Sequence, residues 1–323
     1  VRKSQYDEKR TFLFRLMPNG SLDPEFGDEG IVITHNENAT HNEGLVIRPD
    51  GKLVKGNTFN VYDDHSIFQL ESFNSDGSVD ESFGENGVAK YIFGEGQGGI
   101  WNTEMSCMAL KEDGKIVCAG TSGKNEEINM ALCCFNEDGT VDLSFGDIGG
   151  VILNLEGPYD SGINSIAIQE DGKIVFCGYG GAIVLGRYSS NGELDPEFGN
   201  DGITLSQTGQ GGGEVKNVNM LKDGKILLTG SAGFTTSNIL LMRFNGDNVL
   251  ASNFKEVKAI QENEAITITW QTLNESNTKS YTVERSNNAK DYAGINTIPA
   301  KHAATNSYSY TDKNPMYGDN YYR

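Results

Sequence analysis

The stretch Ser165–Gly202, SIAIQEDGKIVFCGYGGAIVLGRYSSNGELDPEFGNDG, decides the fold, because recognisable copies of it run along most of the chain. Its tripeptide Asp-Gly-Lys recurs at Asp50–Lys52, Asp113–Lys115, Asp171–Lys173 and Asp223–Lys225, at spacings of 63, 58 and 52 residues. A second signature, Asp-x-x-Phe-Gly, begins at Asp23, Asp80, Asp142 and Asp195, at spacings of 57, 62 and 53. A supersecondary unit repeated at such a period reads as a solenoid, a propeller or an array.

Within each copy the residues alternate. Leu45 and Ile47, Met108 and Leu110, Ile166 and Ile168, and Val218 and Met220 hold the same two places before Asp-Gly-Lys. Period two is the pattern of a half-buried strand, so these side chains are expected in the core. Gly-bearing turns then part four short strands per copy: Asp-Gly-Lys, a variable loop, Asn-Gly or Asp-Gly, and Phe-Gly-x-x-Gly. Four short strands per repeat is the blade of a β-propeller. The first strand, short and apolar, is expected innermost.

Residues Thr11–Leu16 and Ile31–Thr34 read as the third and fourth strands of an incomplete first copy. Three full copies and a decaying fifth follow. In the fifth, Ala251 replaces the Asp and Lys255 replaces the Gly after Phe254, which sets a domain boundary near residue 250. The expected architecture is all-β: residues 1–250 an arc of four to five four-stranded antiparallel blades, and 251–323 an incomplete β-sandwich. The chain opens on Val1 in mid-pattern and reads as a fragment, so the lack of a visible signal peptide decides nothing.

The pattern IAIQEDGKIVFCG…NGELDPEFGNDG resembles the delta-60 repeat family of bacterial β-propeller-like proteins, over roughly residues 10–250. The resemblance implies a propeller, an extracellular or cell-surface location, and no common activity. Residues 252–323 resemble the fibronectin type III-like module of secreted Bacteroidetes proteins, through Trp270, the Tyr281–Ser286 strand, Asp312, Gly318 and Tyr321-Tyr322-Arg323. Such proteins often carry a type IX secretion segment. Trp270 is expected in the sandwich core.

Composition narrows the partners. With 45 acidic against 26 basic residues, the net charge of −19 repels nucleic acid and anionic membranes. No run is long and apolar enough to span a membrane. The 40 Gly against 7 Pro suit many tight turns. Cys107, Cys118, Cys133, Cys134 and Cys177 form no C-x-x-C pair, so neither a disulfide framework nor a zinc site is expected. The carboxylates of Asn74-x-Asp76-Gly77-x-x-Asp80 invite a calcium reading, but the EF-hand loop is longer and ends in Glu. Turn and amide-capping chemistry accounts for the same residue types.

Antiparallel strands alternate in direction, so turns two strands apart emerge at one end of a blade. The variable segments 35–44, 94–104, 156–164 and 206–217 therefore share a face with 57–66, 121–129, 179–181 and 231–238. Loops carry function on a rigid scaffold, which makes this the candidate binding face. It bears Trp101, Tyr159 and Tyr62 among Glu104, Asp160 and further carboxylates; aromatics among acids suit a carbohydrate or a protein ligand. His35 and His41 lie beside Glu37 and Glu43, but no third metal ligand is identifiable and solvated loop histidines are the simpler reading. The candidate ligand-binding residues are thus Trp101, Tyr159, Asp160, His35, His41 and Glu104, with no catalytic residue, metal or cofactor assigned. No nucleophile elbow or phosphate loop is present. The expected function is a non-catalytic extracellular repeat protein for adhesion or ligand binding. The alternative is a glycan- or peptide-acting hydrolase using carboxylates of the same face.

Overall fold

The computed structural model describes residues 10–35, 39–62, 65–94, 101–124, 127–155, 157, 159–206, 213–232, 238–245, 253–262, 265–273, 280–301, 303 and 305–323. Among them there are strands and no helices, and no helix long and apolar enough to cross a membrane. The chain forms two compact units, residues 1–195 with 205–247, and 196–204 with 248–323.

The repeats fold as the alternation dictates. Copy 1 gives an antiparallel pair, β1 (Arg10–Phe14) and β2 (Ile31–His35). Copy 2 gives β3 (Ala39–Ile47), β4 (Leu53–Tyr62), β5 (His65–Phe73) and β6 (Val88–Tyr91). Copy 3 gives β7 (Trp101–Leu110), β8 (Ile116–Lys124), β9 (Asn129–Phe135) and β10 (Gly150–Leu153). Copy 4 gives β11 (Gly162–Ile168), β12 (Ile174–Tyr179), β13 (Ile183–Tyr188) and β14 (Ile203–Ser206). Copy 5 gives β15 (Gly213–Met220), β16 (Ile226–Ala232) and β17 (Asn238–Phe244). Strands pair in chain order within each copy, and one parallel pair, His65 with Trp101, joins the sheets of copies 2 and 3.

Three contacts recur along copies 1 to 4, each from one copy to the next. The Phe of Asp-x-x-Phe-Gly lies where a Cβ on the next copy's turn glycine would sit: Phe26 against Gly77, Phe83 against Gly139, Phe145 against Gly192. The glycine after that Phe donates its N–H to the same turn: Gly27 to the Asp76 carbonyl (2.7 Å), Gly84 to Asp138 (2.7 Å), Gly146 to Asn191 (2.8 Å). A cation also reaches forward, Arg48 to the Glu137 carbonyl (2.9 Å) and Lys111 to the Ser190 carbonyl (3.3 Å). The two sequence signatures meet inside copies 2, 3 and 4 as ion pairs, Lys52–Asp80 (2.9 Å), Lys115–Asp142 (2.8 Å) and Lys173–Asp195 (3.1 Å). Each Asp also caps the turn that follows it: Asp142 accepts from the Ser144 N–H at 3.1 Å, as turn chemistry predicts.

The core between copies 2 and 3 holds Val54, Phe68, Leu70, Phe83, Met105, Ile116 and Phe135. The expectation that every apolar pair of the first strands is buried needs correcting. Ile166 and Val218 are buried, Ile168 is only half-buried, and Leu45 and Ile47 are exposed. A Cβ on Gly44 would meet Met108 of copy 3, so Gly44 and Val46 face forward and Leu45 and Ile47 face back. Among the described residues copy 1 has no first or second strand to cover them.

The second unit forms two three-stranded sheets, β18 (Asn253–Glu262), β19 (Ala265–Leu273) and β22 (Thr305–Asp312), and β21 (Ala293–Pro299), β20 (Ser280–Ser286) and β23 (Tyr321–Tyr322). Ile268, Trp270, Val283 and Tyr308 form its core, with Trp270 stacked on Tyr308 at 5.3 Å. Asp312 receives Arg285 at 2.7 Å and the Tyr322 hydroxyl at 2.8 Å.

Candidate functional site

The variable segments of the described copies meet where the first strands begin. Trp101 opens β7 opposite Lys124 and beside His65, whereas Lys115 follows the far end of the same strand. The Asp-Gly-Lys turns therefore leave from the other end.

Each first strand carries a β-bulge at one place, between Asn42 and Gly44, Met105 and Cys107, Ile163 and Ser165, and Val215 and Asn217. Bulges sharpen the local twist and re-aim the neighbouring side chains. Here the bulge drives a strand carbonyl over the partner strand. A Cβ on Gly120, Gly178 or Gly230 would lie 2.0, 1.9 or 2.1 Å from the carbonyl oxygen of Glu104, Gly162 or Glu214. No other residue type fits those three places.

The residue that this geometry presents stands nine places before the Asp of Asp-Gly-Lys: His41, Glu104, Gly162 and Glu214. Each faces the end of the second strand, at Thr58, Thr121, Tyr179 and Ser231. Copy 4 differs by having glycine there, and its Tyr179 takes the space. A Cβ on Gly162 would lie 2.7 Å from the Tyr179 hydroxyl oxygen and 2.6 Å from the Thr121 methyl. The phenol thus reaches across its own first strand toward copy 3. Burial first, and then the charges of Glu104, Asp160 and Glu214, raise the Tyr179 phenol above its ordinary value.

Beside Glu104 opens a cavity of about 340 Å³ lined by Thr58, Asn60, Ser66, Asn102, Thr103 and Thr121. Its hydroxyls also stitch copies 2 and 3 together: the Thr103 N–H donates to Ser66 Oγ at 2.8 Å and the Met105 N–H to Thr58 Oγ1 at 2.9 Å. Farther round, the Ser161 N–H donates to the Ile128 carbonyl at 3.0 Å and Asn164 Nδ2 to the Val215 carbonyl at 2.7 Å.

Of the residues expected to bind ligand, Glu104 lies beside the cavity, and the charges of Glu104 and Asp160 both act on the Tyr179 phenol. Tyr159 is exposed, its ring lying on Gly181, in the loop after Tyr179. Trp101, His35 and His41 have strand positions, but their side chains lie outside the described residues, as do Glu37, Glu43 and the side chain of Tyr62. Among the described residues no group of three His, Cys, Asp or Glu side chains could hold a metal ion. The five cysteines are free thiols, and Cys118 stands directly opposite Cys133. Burial pushes Cys177 and Cys134 up to about 12, which makes them unreactive packing groups. Tyr179 and Glu214 were not singled out from the sequence. The constant nine-residue offset from Asp-Gly-Lys is the signal that finds Glu214.

Three segments of the chain, residues 5–26, 111–145 and 169–198, match the model of a β-propeller domain of unknown function, DUF5122. No curated protein sequence matches the chain. Among solved structures, the chain is similar to CoXyl43, a β-xylosidase/α-arabinofuranosidase from a compost microbial metagenome crystallised with xylotriose, at 11% identity and a TM-score of 0.36, covering 72% of this chain and 86% of that one. A putative glycoside hydrolase from Parabacteroides distasonis is similar at 12% identity and a TM-score of 0.39, covering 73% and 85%. A protein of unknown function from Dyadobacter fermentans follows at 12% and 0.40, covering 80% and 81%. No residue role is carried over at these identities. The expected reading as a non-catalytic repeat protein is corrected on this finding: the similar structures named for an activity are glycoside hydrolases or glycosidases and one polysaccharide lyase. The match to a β-propeller family model falls within the repeats, where copies 2, 3 and 4 each pair four strands antiparallel in chain order.

Proposed function

We propose that the variable face carries a carbohydrate-acting hydrolytic site formed by Glu104, Asp160 and Glu214 around Tyr179. The observation that carries the reading is the hydroxyl-lined cavity that opens beside Glu104, with the Tyr179 phenol reaching toward copy 3 across Gly162. Glycoside hydrolysis needs two carboxyl groups flanking the scissile bond, one to protonate the leaving oxygen and one to activate water or attack the sugar. Glu104 and Glu214, at the same register place in copies 3 and 5, are the pair assigned these roles. Tyr179, its phenol held protonated through the neutral range, positions a carboxylate or a sugar oxygen by donating a hydrogen bond. The adjoining cavity offers hydroxyl and amide groups in the number that a sugar ring displays, and its volume of about 340 Å³ falls within the roughly 300–1,000 Å³ of small-ligand clefts.

The test is product analysis on a panel of plant and bacterial oligosaccharides. Glu104→Gln and Glu214→Gln should each lower kcat by roughly 10²–10⁴-fold, the usual worth of a positioned acid or base. Undiminished turnover in both variants, or no cleavage of any glycan, sinks the reading. In the same proposal the first unit is a delta-60 repeat propeller, the second a fibronectin type III-like module, and the protein works outside the cell. Protease shaving of intact cells that leaves the protein untouched would overturn that location.

A further inference from the structure

We propose that the cavity beside Glu104 takes an uncharged sugar ring and shuts out glycans that carry uronate or sulfate. The proposal rests on the reading of that cavity as the carbohydrate site, and adds which carbohydrates it accepts. Six of the eight described residues that line it bear a hydroxyl or an amide, one is Ile128, and Glu104 is the single charged group. A hydroxyl or an amide can both donate and accept, as a sugar hydroxyl does. A carboxylate only accepts. Glu104 therefore adds an acceptor for the hydroxyls of a neutral ring and repels a second carboxylate.

Elsewhere the same chain supplies a cation wherever it encloses a carboxylate of its own. Asp80 has Lys52 at 2.9 Å and Asp142 has Lys115 at 2.8 Å. Asp195 has Arg187 at 2.8 Å and Lys173 at 3.1 Å, and Asp312 has Arg285 at 2.7 Å. Carboxylate and sulfate groups are held by such charge-assisted hydrogen bonds. Among the described residues that line the cavity there is no lysine and no arginine. Lys52, Lys115 and Lys173 belong to the Asp-Gly-Lys turns, which leave from the other end of the blades.

The segments on the cavity's own face lean the opposite way. The eight variable segments carry eleven acidic residues against two lysines, Lys124 and Lys216, and Lys216 is paired with Glu214. A cleft surrounded by one sign of charge sets up a field that opposes ligands of the same sign before they make contact. An anionic glycan is thus repelled on approach and finds no cation on arrival, whereas a neutral one loses nothing to the field and meets hydroxyls, amides and one carboxylate.

The test is an array of glycans probed with the full chain, its members paired so that partners differ only in a CH₂OH or a carboxylate at the same ring carbon. Uncharged members should be bound, and their uronate partners at least roughly tenfold more weakly. Asn60→Lys, at an exposed position of the lining, puts a cation at the cavity and should raise the binding of uronate members above that of the wild type, with the thermal midpoint unchanged. Uronate members bound as tightly as their partners overturn the proposal, and so does an array on which nothing is bound. An Asn60→Lys variant with the wild-type preference overturns it too. Because the readout is binding, the two readings fail separately. Uncharged glycans that bind and stay intact end the hydrolytic reading and keep this one; uronate glycans that bind equally well and are cleaved do the reverse.

Discussion

The contact between copies 1 and 2 and the contact between copies 2 and 3 use equivalent positions with opposite chemistry. Where copy 3 meets copy 2, its second and third strands present Cys118 and Cys133, sealed in an apolar core. Where copy 2 meets copy 1, the same places hold Lys55 and Glu71, an ion pair at 2.9 Å that is almost wholly buried. Asn57 and Gln69 complete the network, donating to Glu71 at 3.0 and 3.1 Å, and Lys55 reaches Thr34 of copy 1 at 3.2 Å. Asn57 also stands where the other copies have the crowded glycines Gly120, Gly178 and Gly230, and its Oδ1 has no partner. A repeat can thus keep its backbone while exchanging a greasy contact for a charged one. The charged contact accepts only a neighbour that satisfies it.

The largest effect should come from breaking that network on one side. Glu71→Leu leaves Lys55 charged, buried and unpaired, and should cost about 3–5 kcal/mol. The double variant Lys55→Met/Glu71→Leu should recover most of the loss. Urea denaturation of the three proteins separates the costs, and a double variant as unstable as the single would show that the pair drives stability outright. Next in size is Leu132→Ala, at a wholly buried place on the other face of copy 3, at about 2–5 kcal/mol. The same change at Leu241, the exposed counterpart, should stay within about 0.5 kcal/mol. Equal losses at the two sites would mean that copy 5 is covered in solution.

The ion pairs inside each copy should matter less and show in acid. Burial raises the Asp142 carboxyl, but Lys115 and Ser144 together outweigh it and hold it below the usual carboxylate range. Stability from such a group is complete above the unfolded value of about 3.9, and it is lost as pH falls through the lower folded value. Asp142→Asn should flatten the acid limb of a stability–pH curve, and an unchanged slope below about pH 4 would remove Asp142 from the account. The smallest effect should be a gain. Ile148 sits at φ +54° where copy 2 has Asn86 at φ +53°. Left-handed backbone costs a β-branched residue about 1–2 kcal/mol, so Ile148→Asn should raise stability by up to about 1 kcal/mol. A fall in the thermal midpoint would contradict it.

The sheets were legible because period-two burial and Gly turns are local. Asp-Gly-Lys and Asp-x-x-Phe-Gly stood out from the sequence, and their ion pairing across 27 residues, as in Lys115–Asp142, did not. The exposure of Ile47 was hidden too, since alternation reports that a face is apolar and not whether a neighbour covers it. At the candidate site Glu104 and Asp160 were visible as acids on the variable face. Tyr179 was not, because its reach depends on the missing side chain of Gly162 in the strand opposite. Lys55 and Glu71 look from the sequence like ordinary surface charges of a strand, and only the packed copy 1 makes them interior.

The forward clasp of Phe, glycine N–H and cation joins copies 1 to 4, each to its successor, and that shapes how the array comes apart. With nearest-neighbour coupling alone, stability sums along a line as in a one-dimensional chain of spins. The amides of β8 and β9, enclosed by a copy on either side, should then be the last to exchange with deuterium.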